Sequence, residues 1–289
     1  MSSKTAKESF SQVKRIYTDI DGTLLAPGGK FLTKHDGKPS FELAKLLVEL
    51  KEAEIDLVLV SGRNRASLHE MVRQLNLDGF IAELGTIIQR ESSGISKTEY
   101  ILGAMDFDLS SDKSPFEAIQ DSGVVDALLH AFPGRLEYSL PYALEREVTP
   151  ALRGNIDEQE AQRIIDSYPY QLDLASNGLV HPKEHTLTMG ADEPIYIYHL
   201  LPRGVSKGST LAYDMEQAGL SAHECVALGD SEADLDMASY VGSFVLMNNG
   251  LQRKHLQVLA DKHDGLLFKT NENTIDGWCE FAQAILASQ

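Results

Sequence analysis

The sequence predicts an α/β protein: a doubly wound, mostly parallel sheet with an inserted α+β unit. Three observations carry this. Short apolar runs of strand character alternate with amphipathic helical stretches near both ends of the chain, the pattern of a parallel sheet covered on both faces. The alternation stops over residues 86–194 and then resumes. The polar residues of most chemical promise fall just after the apolar runs, where open α/β sheets bind ligands.

Taken in order, residues 1–12 are polar and read as a frayed tail. Residues 14–20 (KRIYTDI) form a strand feeding a loop. Residues 41–53 repeat Leu43, Leu46, Leu47 and Leu50 at helical spacing. Residues 55–60 (IDLVLV) are a compact strand. Residues 65–75 return to helix, with Leu68, Met71, Val72 and Leu75 on one face, and 80–82 read as a short strand. The rhythm resumes with helix at 209–218, strand at 225–228, helix at 232–240, strand at 243–247 and a closing helix at 274–286. Between these lies a helix over 115–130, with Pro115 in its first turn. A second starts at Asp157, which with Glu160 matches a capping box. Strand candidates there are 136–139, 170–175, 186–189 and 195–199. So long an insertion predicts a second domain. The expected boundaries are a core of 13–85 and 195–289 and a cap of 86–194.

The chain has 289 residues, 43% of them hydrophobic, enough for a large core. Its formal net charge of −17 argues against general nucleic-acid binding, which needs a basic face, and against docking on anionic membranes. It permits an anionic substrate, because local cations or a bound metal reverse the field in a cleft. Two cysteines, Cys225 and Cys279, lack metal-ligand spacing and suggest a reduced, cytoplasmic setting. The start carries no apolar signal-peptide core, and no apolar run is long enough to span a bilayer. Oligomeric state leaves no mark.

Four motifs stand at strand ends or helix starts. Asp19 and Asp21, in Asp-Ile-Asp-Gly-Thr, share a face if extended. A calcium loop would need another carboxylate or amide at 23 and glycine at 24, where the chain has Thr23 and Leu24; a purely structural turn stays open. Ser61-Gly62-Arg63 follows a strand, where Ser61 reads as a helix N-cap, which is compatible with an anion site at the same helix start. Lys207 opens a helix, a place that favours a cation only if an anion lies between it and the helix end. Gly229-Asp230-Ser231-Glu232-Ala233-Asp234 follows another strand, and its acids are otherwise helix-dipole partners.

In that order the motifs YTDIDGTLL (17–25), VLVSGR (58–63), LPRGVSKG (201–208) and ALGDSEADLDMA (227–238) resemble the haloacid dehalogenase (HAD) superfamily of phosphohydrolases. More narrowly they resemble its Cof-like group, which includes sucrose-phosphate and mannosyl-3-phosphoglycerate phosphatases. The resemblance implies a magnesium-dependent phosphatase acting on a small phosphorylated metabolite, a sugar phosphate or phosphoglycerate derivative. Asp19 would be the nucleophile and Asp21 the acid and base. Ser61, Gly62 and Lys207 would hold the phosphoryl group. Asp19, the Asp21 carbonyl and Asp230 would hold Mg2+, with Asp234 acting from behind them or through water. Two positions depart from the family: Ala233 stands where asparagine is usual, and Leu84 replaces the asparagine of Glu-Asn-Gly. A phosphomutase and a non-catalytic sugar-phosphate-binding module are the alternatives. Candidate substrate contacts in the insertion are Arg153, Asn155, Lys183 and His185. His181 and His185 have the spacing of a zinc pair but no accompanying ligand cluster.

Overall fold

The computed structural model describes residues 8–92, 95–180, 182, 184–263 and 265–289. In chain order the elements are β1 (Arg15–Thr18), α1 (Glu42–Glu52), β2 (Asp56–Val60), α2 (Arg65–Leu75), β3 (Gly79–Ala82), β4 (Ile87–Ser92) and β5 (Ile95–Tyr100). Next come α3 (Pro115–Asp121), α4 (Val124–Ala131), β6 (Leu136–Tyr138), β7 (Ala151–Gly154), α5 (Glu158–Ile165), β8 (Leu172–Val180) and β9 (Ile195–Pro202). The chain closes with α6 (Lys207–Ala218), β10 (Cys225–Gly229), α7 (Glu232–Leu235), β11 (Ser243–Leu246), α8 (Asn248–Leu251), α9 (Lys254–Asp261), β12 (Leu267–Lys269) and α10 (Thr274–Leu286).

Two sheets result. The larger has eight strands in the order β12-β11-β10-β1-β2-β3-β4-β5. It is parallel from β12 to β3 and antiparallel at β3–β4–β5. Strand alternation divides its side chains between two cores. Ile16, Leu57, Leu59, Val226, Leu228 and Val245 pack toward α1, α2 and α10. Tyr17, Val58, Val60, Ala227, Phe244 and Leu246 pack toward α6 and α9. Burial on both faces is why these strands read as unbroken apolar runs. Trp278 of α10, fully buried, donates its indole N–H to Thr18 Oγ1 at 3.1 Å and so braces the end of β1.

The smaller sheet is antiparallel, in the order β6-β7-β9-β8. Helices α3, α4 and α5 cover one of its faces through Ile119, Val125, Leu128, Ile165, Tyr198 and Leu200. Residues 197 and 199 of β9 alternate onto the other face.

Several expectations need correction. The two sheets divide the chain differently from the boundaries at 86 and 195. Strands β4 and β5 extend the larger sheet, and β9 belongs to the smaller one. Phe10 lies in the expected tail yet is fully buried, its ring 5.1 Å from Phe268 and 5.5 Å from Phe281; residues 1–7 lie outside the described residues. The helix expected over 115–130 is two, because Gly123 sits at φ +82° between α3 and α4. Residues 186–189 form no strand, and helix 232–240 is α7 followed by a 3₁₀ turn at Asp236–Ser239.

Candidate active site

Strands β10, β1 and β2 are neighbours, so the residues just beyond their C-terminal ends emerge side by side. Asp19 follows β1, and its N–H continues the ladder to the Leu228 carbonyl at 3.0 Å. Ser61 follows β2 and donates its N–H to the Ile81 carbonyl at 2.9 Å. Asp230 follows β10. Lys207 is the first residue of α6, whose cap is Ser206 in a reciprocal box with Ser209. Four separate segments are thus brought to one point.

Lys207 Nζ donates to Asp19 Oδ1 at 2.8 Å and to Asp234 Oδ1 at 2.6 Å, and all three residues are buried. Burial, then the charge of Asp234, raises the Asp19 carboxyl well above the usual range. Burial and the charge of Asp234 push Asp230 up to about 6. Burial alone would lower the Lys207 ammonium, but Asp19 and Asp234 outweigh it and raise it. Three carboxylates against one ammonium leave a buried excess of negative charge.

That excess fits a hard divalent cation such as magnesium. Asp19, Asp230 and Asp234 can each offer an oxygen within 4.8 Å of the others. They are not equivalent. Asp234 Oδ1 is taken by Lys207, and Oδ2 accepts from Asp230 N–H (3.1 Å), Ser231 N–H (2.9 Å) and Ser231 Oγ (2.6 Å). It braces the loop more than it faces an ion. Asp230 Oδ2 accepts from Asn249 Nδ2 at 2.9 Å and Arg253 Nη2 at 3.3 Å. Among the described residues, Asp19 Oδ2 and Asp230 Oδ1 carry no hydrogen bond and could hold the metal. Asn249 Nδ2 also donates to the Gly22 carbonyl at 2.9 Å, an amide contact to Asp230 that does not depend on residue 233.

Asp21 is more exposed, its side chain 56% accessible. Arg63 grips both its oxygens, Nε to Oδ2 at 2.7 Å and Nη2 to Oδ1 at 2.6 Å. The turn between the two aspartates depends on Gly22, at φ +95°, where a Cβ would stand 2.6 Å from Asp230 Oδ2. Gly22→Ala therefore meets both backbone strain and a clash with Asp230. We expect it to lower turnover at least about 100-fold through misplacement of reacting groups. Steady-state kinetics checks this, with circular dichroism to show that the fold persists.

Ser61 is buried, and its Oγ accepts from the Arg63 N–H at 3.3 Å. It does not cap α2. Asn64 does, accepting from Ser67 N–H at 3.0 Å. The loop's carbonyls are tied from behind. Ser61 O accepts from Leu84 N–H at 3.1 Å, and Gly62 O from both terminal nitrogens of Arg146 at 3.2 Å. Glu83, fully buried at φ +49°, accepts from the N–H groups of Glu147, Val148 and Thr149. It also lies 3.5 Å from Arg146. Leu84 packs against Leu201 and Val205, an apolar contact in place of the family's amide.

Asp19, Asp21, Ser61, Gly62, Arg146 and Asp230 open on a cavity of about 680 Å³. Asp19, Asp21, Ser61 and Gly62 line its larger-sheet side; Asn177, His199 and the apolar Tyr142, Leu144 and Leu179 line the other. Of the expected substrate contacts, the structure does not bring Arg153, Asn155 or His185 here. Arg153 spends its donors on Glu137 (2.6 Å), the Leu140 carbonyl (3.0 Å) and the Glu184 carbonyl (2.9 Å), holding the smaller sheet together. Asn155 donates to the Pro194 carbonyl at 3.1 Å. His185 is exposed and lines none of this cavity. Lys183 and His181 lie outside the described residues. Arg63 stands in the VLVSGR motif with no role that the motif implies, and no motif marks Asn177, Arg146, His199, Asn249 or Arg253. One signal was available: His199 is the one imidazole in the otherwise aromatic and aliphatic run IYIYHLL.

Residues 16–105 and 152–262 match the haloacid dehalogenase-like hydrolase family, more than half of the chain. A curated relative, the phosphoglycolate phosphatase of Methanoculleus marisnigri, is 28% identical over 239 residues, 82% of this chain and 85% of its own. The sucrose-phosphatase of Synechocystis sp. PCC6803, solved with sucrose and phosphate, has a TM-score of 0.60 at 14% identity, covering 95% of this chain and 98% of that one. A HAD-superfamily phosphatase from Bacteroides thetaiotaomicron gives 0.58 at 17% identity, covering 96% and 97%. These two likenesses concern the fold. With the four motif segments gathered beyond the C-terminal ends of the central strands and the family matched over 16–105 and 152–262, the chain belongs to the haloacid dehalogenase-like hydrolases.

Proposed function

We propose that this chain is a magnesium-dependent phosphatase that cleaves a small phosphomonoester through an aspartyl-phosphate on Asp19. The observation that carries it is the buried Lys207 ammonium between Asp19 and Asp234, with Asp230 beside them and the exposed Asp21 two residues on. Asp19 attacks the phosphorus, and the bond to the leaving oxygen breaks. Asp21 gives that oxygen a proton, then takes one from the water that splits the aspartyl-phosphate. Lys207, Ser61 Oγ and the Gly62 N–H hold the phosphoryl oxygens. Asp19, the Asp21 carbonyl and Asp230 hold Mg2+, and Asp234 fixes the loop that presents Asp230. The bound ion supplies counter-charge for the phosphoryl group.

The smaller sheet and its helices act as the cap that selects the alcohol and excludes water. The named relatives support a phosphorylated sugar or hydroxy acid as substrate. Buried, unpaired Cys225 and Cys279 suit a reducing compartment such as the cytoplasm. Among the described residues no helix is long and apolar enough to cross a membrane.

The test is a phosphate-release screen over sugar, glycerate, glycolate and nucleotide monophosphates, with and without Mg2+. Release that is absent with every ester, or indifferent to chelation, would overturn the proposal.

Asp230 gives a pH prediction. Folding raises its carboxyl from 3.8 to about 6. The folded state therefore binds the extra proton, and stability falls as pH climbs through that window. Bound Mg2+ offsets the cost. At a hundredfold its dissociation constant it contributes about 2.7 kcal/mol, roughly 5 °C for a chain of this size. Thermal melts of chelator-treated protein should show that gain at pH 7.5 and a smaller one at pH 5. Equal gains would detach Asp230 from the ion.

A further inference from the structure

We propose that His199 is a neutral hydrogen-bond donor, fixed in one tautomer, that reads an acceptor oxygen on the alcohol portion of the substrate. This rests on the phosphatase reading and narrows its substrate class.

The placement comes from the strand. Tyr198 and Leu200 pack under α3–α5, so His199 between them projects from the opposite face of the smaller sheet. It stands mid-sheet, in register with Ala151 of β7 and Ala175 of β8. It lines the same cavity as Asp19 and Asp21. Lys207, Ser61 and Gly62 serve the phosphoryl oxygens from the larger sheet, so a group on this opposite wall meets the rest of the ester.

The tautomer comes from the neighbours. His199 Nδ1 lies 3.2 Å from Arg146 Nη2. A guanidinium has donors and no acceptor, so Nδ1 faces it best with its lone pair, which puts the ring proton on Nε2. Thr149 Oγ1, 3.3 Å from the same nitrogen, gives its own proton to Glu83 Oε2 at 3.0 Å and already accepts from Arg146 Nη2 at 2.6 Å; an Nδ1–H shared with it would stand against the guanidinium charge 3.2 Å away, so that charge favours the lone pair on Nδ1. Burial, then the charges of Arg146 and Lys207, lowers the imidazole's pKa well below the usual value. The ring stays uncharged at neutral pH. Among the described residues Nε2 has no hydrogen-bond partner, yet it is not one of the enclosed polar atoms left unsatisfied. Its remaining accessible surface therefore belongs to the cavity it lines.

A fixed donor on one wall and an apolar lip of Tyr142, Leu144 and Leu179 at the mouth suit an alcohol with hydroxyl or carboxylate oxygens on a compact carbon frame. A bare aryl ester offers Nε2–H nothing to bind. A cavity built to hydrogen-bond a substrate oxygen discriminates against analogues that lack it.

The test compares kcat/KM for the best hydroxylated or carboxylated ester with that for phenyl phosphate. In His199→Phe, which keeps the ring and deletes the donor, that ratio should fall about tenfold, the effect of one buried hydrogen bond. His199→Gln, which keeps an N–H, should recover part of it. An unchanged ratio overturns the proposal, whether both substrates suffer equally (a packing role) or neither does. If His199→Phe does not fold, His199→Gln and nitrogen NMR of the native imidazole decide. The Nε2–H tautomer is expected across neutral pH, and an Nδ1–H or doubly protonated ring overturns the proposal. Loss of all magnesium-dependent turnover, phenyl phosphate included, in the parent protein instead defeats the phosphatase reading.

Discussion

Asp19→Asn is expected to abolish phosphate release, by at least about 10⁴-fold, in a protein that folds as well as the parent. Asparagine has the shape of aspartate, and its Oδ1 can still accept the bond that Lys207 Nζ makes at 2.8 Å. It has no negative oxygen to attack phosphorus. Stability should hold or rise, because burial and the neighbouring Asp234 oppose the charge on Asp19. The measurements are phosphate release at saturating Mg2+ and a thermal melt of the same preparation. A second check is covalent: radiolabelled phosphate should stay on the acid-quenched parent and be missing from the variant. Turnover within tenfold of the parent would remove Asp19 from the nucleophile's role. A melting point several degrees lower would contradict the charge argument while leaving the chemistry intact.

What the sequence revealed follows the range of each interaction. Helix α10 was legible to its last residue because Ile275, Trp278, Phe281, Ala282 and Ile285 repeat at helical period on a buried face. Asp19, Asp21, Ser61, Lys207 and Asp230 were legible because each belongs to a short motif beside a strand or helix end. The hairpin of β4 and β5 was not. Gln89, Arg90, Glu91, Lys97 and Glu99 make its strands too polar to read as a sheet edge. Arg153 shows the same limit at a side chain. A cationic residue in a polar stretch reads as a ligand contact, and nothing local reveals that Glu137 and two carbonyls consume its donors. The network of Glu83, Arg146, Thr149 and His199 is closed by contacts 50 to 66 residues apart, beyond the reach of any periodicity. Phe10 is the extreme case, buried against rings at 268 and 281.

Lys207→Met should be the most damaging substitution to the folded state. The lysine is 3% exposed and touches Asp19 and Asp234 at once. Methionine fills similar volume, so the loss is electrostatic. Removing one partner of a buried ion pair costs about 3–5 kcal/mol, because the other charge stays desolvated and unpaired. For a chain of this length that corresponds to roughly 10 °C in melting temperature. Turnover should fall at least about 1,000-fold, since the group that holds the phosphoryl charge is gone. The pH dependence carries the sign of the mechanism. Asp19 and Asp230 already have raised carboxyls, and without the ammonium they protonate more readily still. The stability deficit should therefore be large at pH 8 and shrink toward pH 5. Adding Asp19→Asn to Lys207→Met removes one of the stranded charges. The double variant should regain part of the lost stability and none of the activity, a positive coupling between two sites in contact. Strictly additive melting points, or a Lys207→Met protein as stable as the parent at pH 8, would mean that Lys207 is not the counter-ion of this cluster. The reading of Asp19 as a charge-balanced nucleophile would then fail with it.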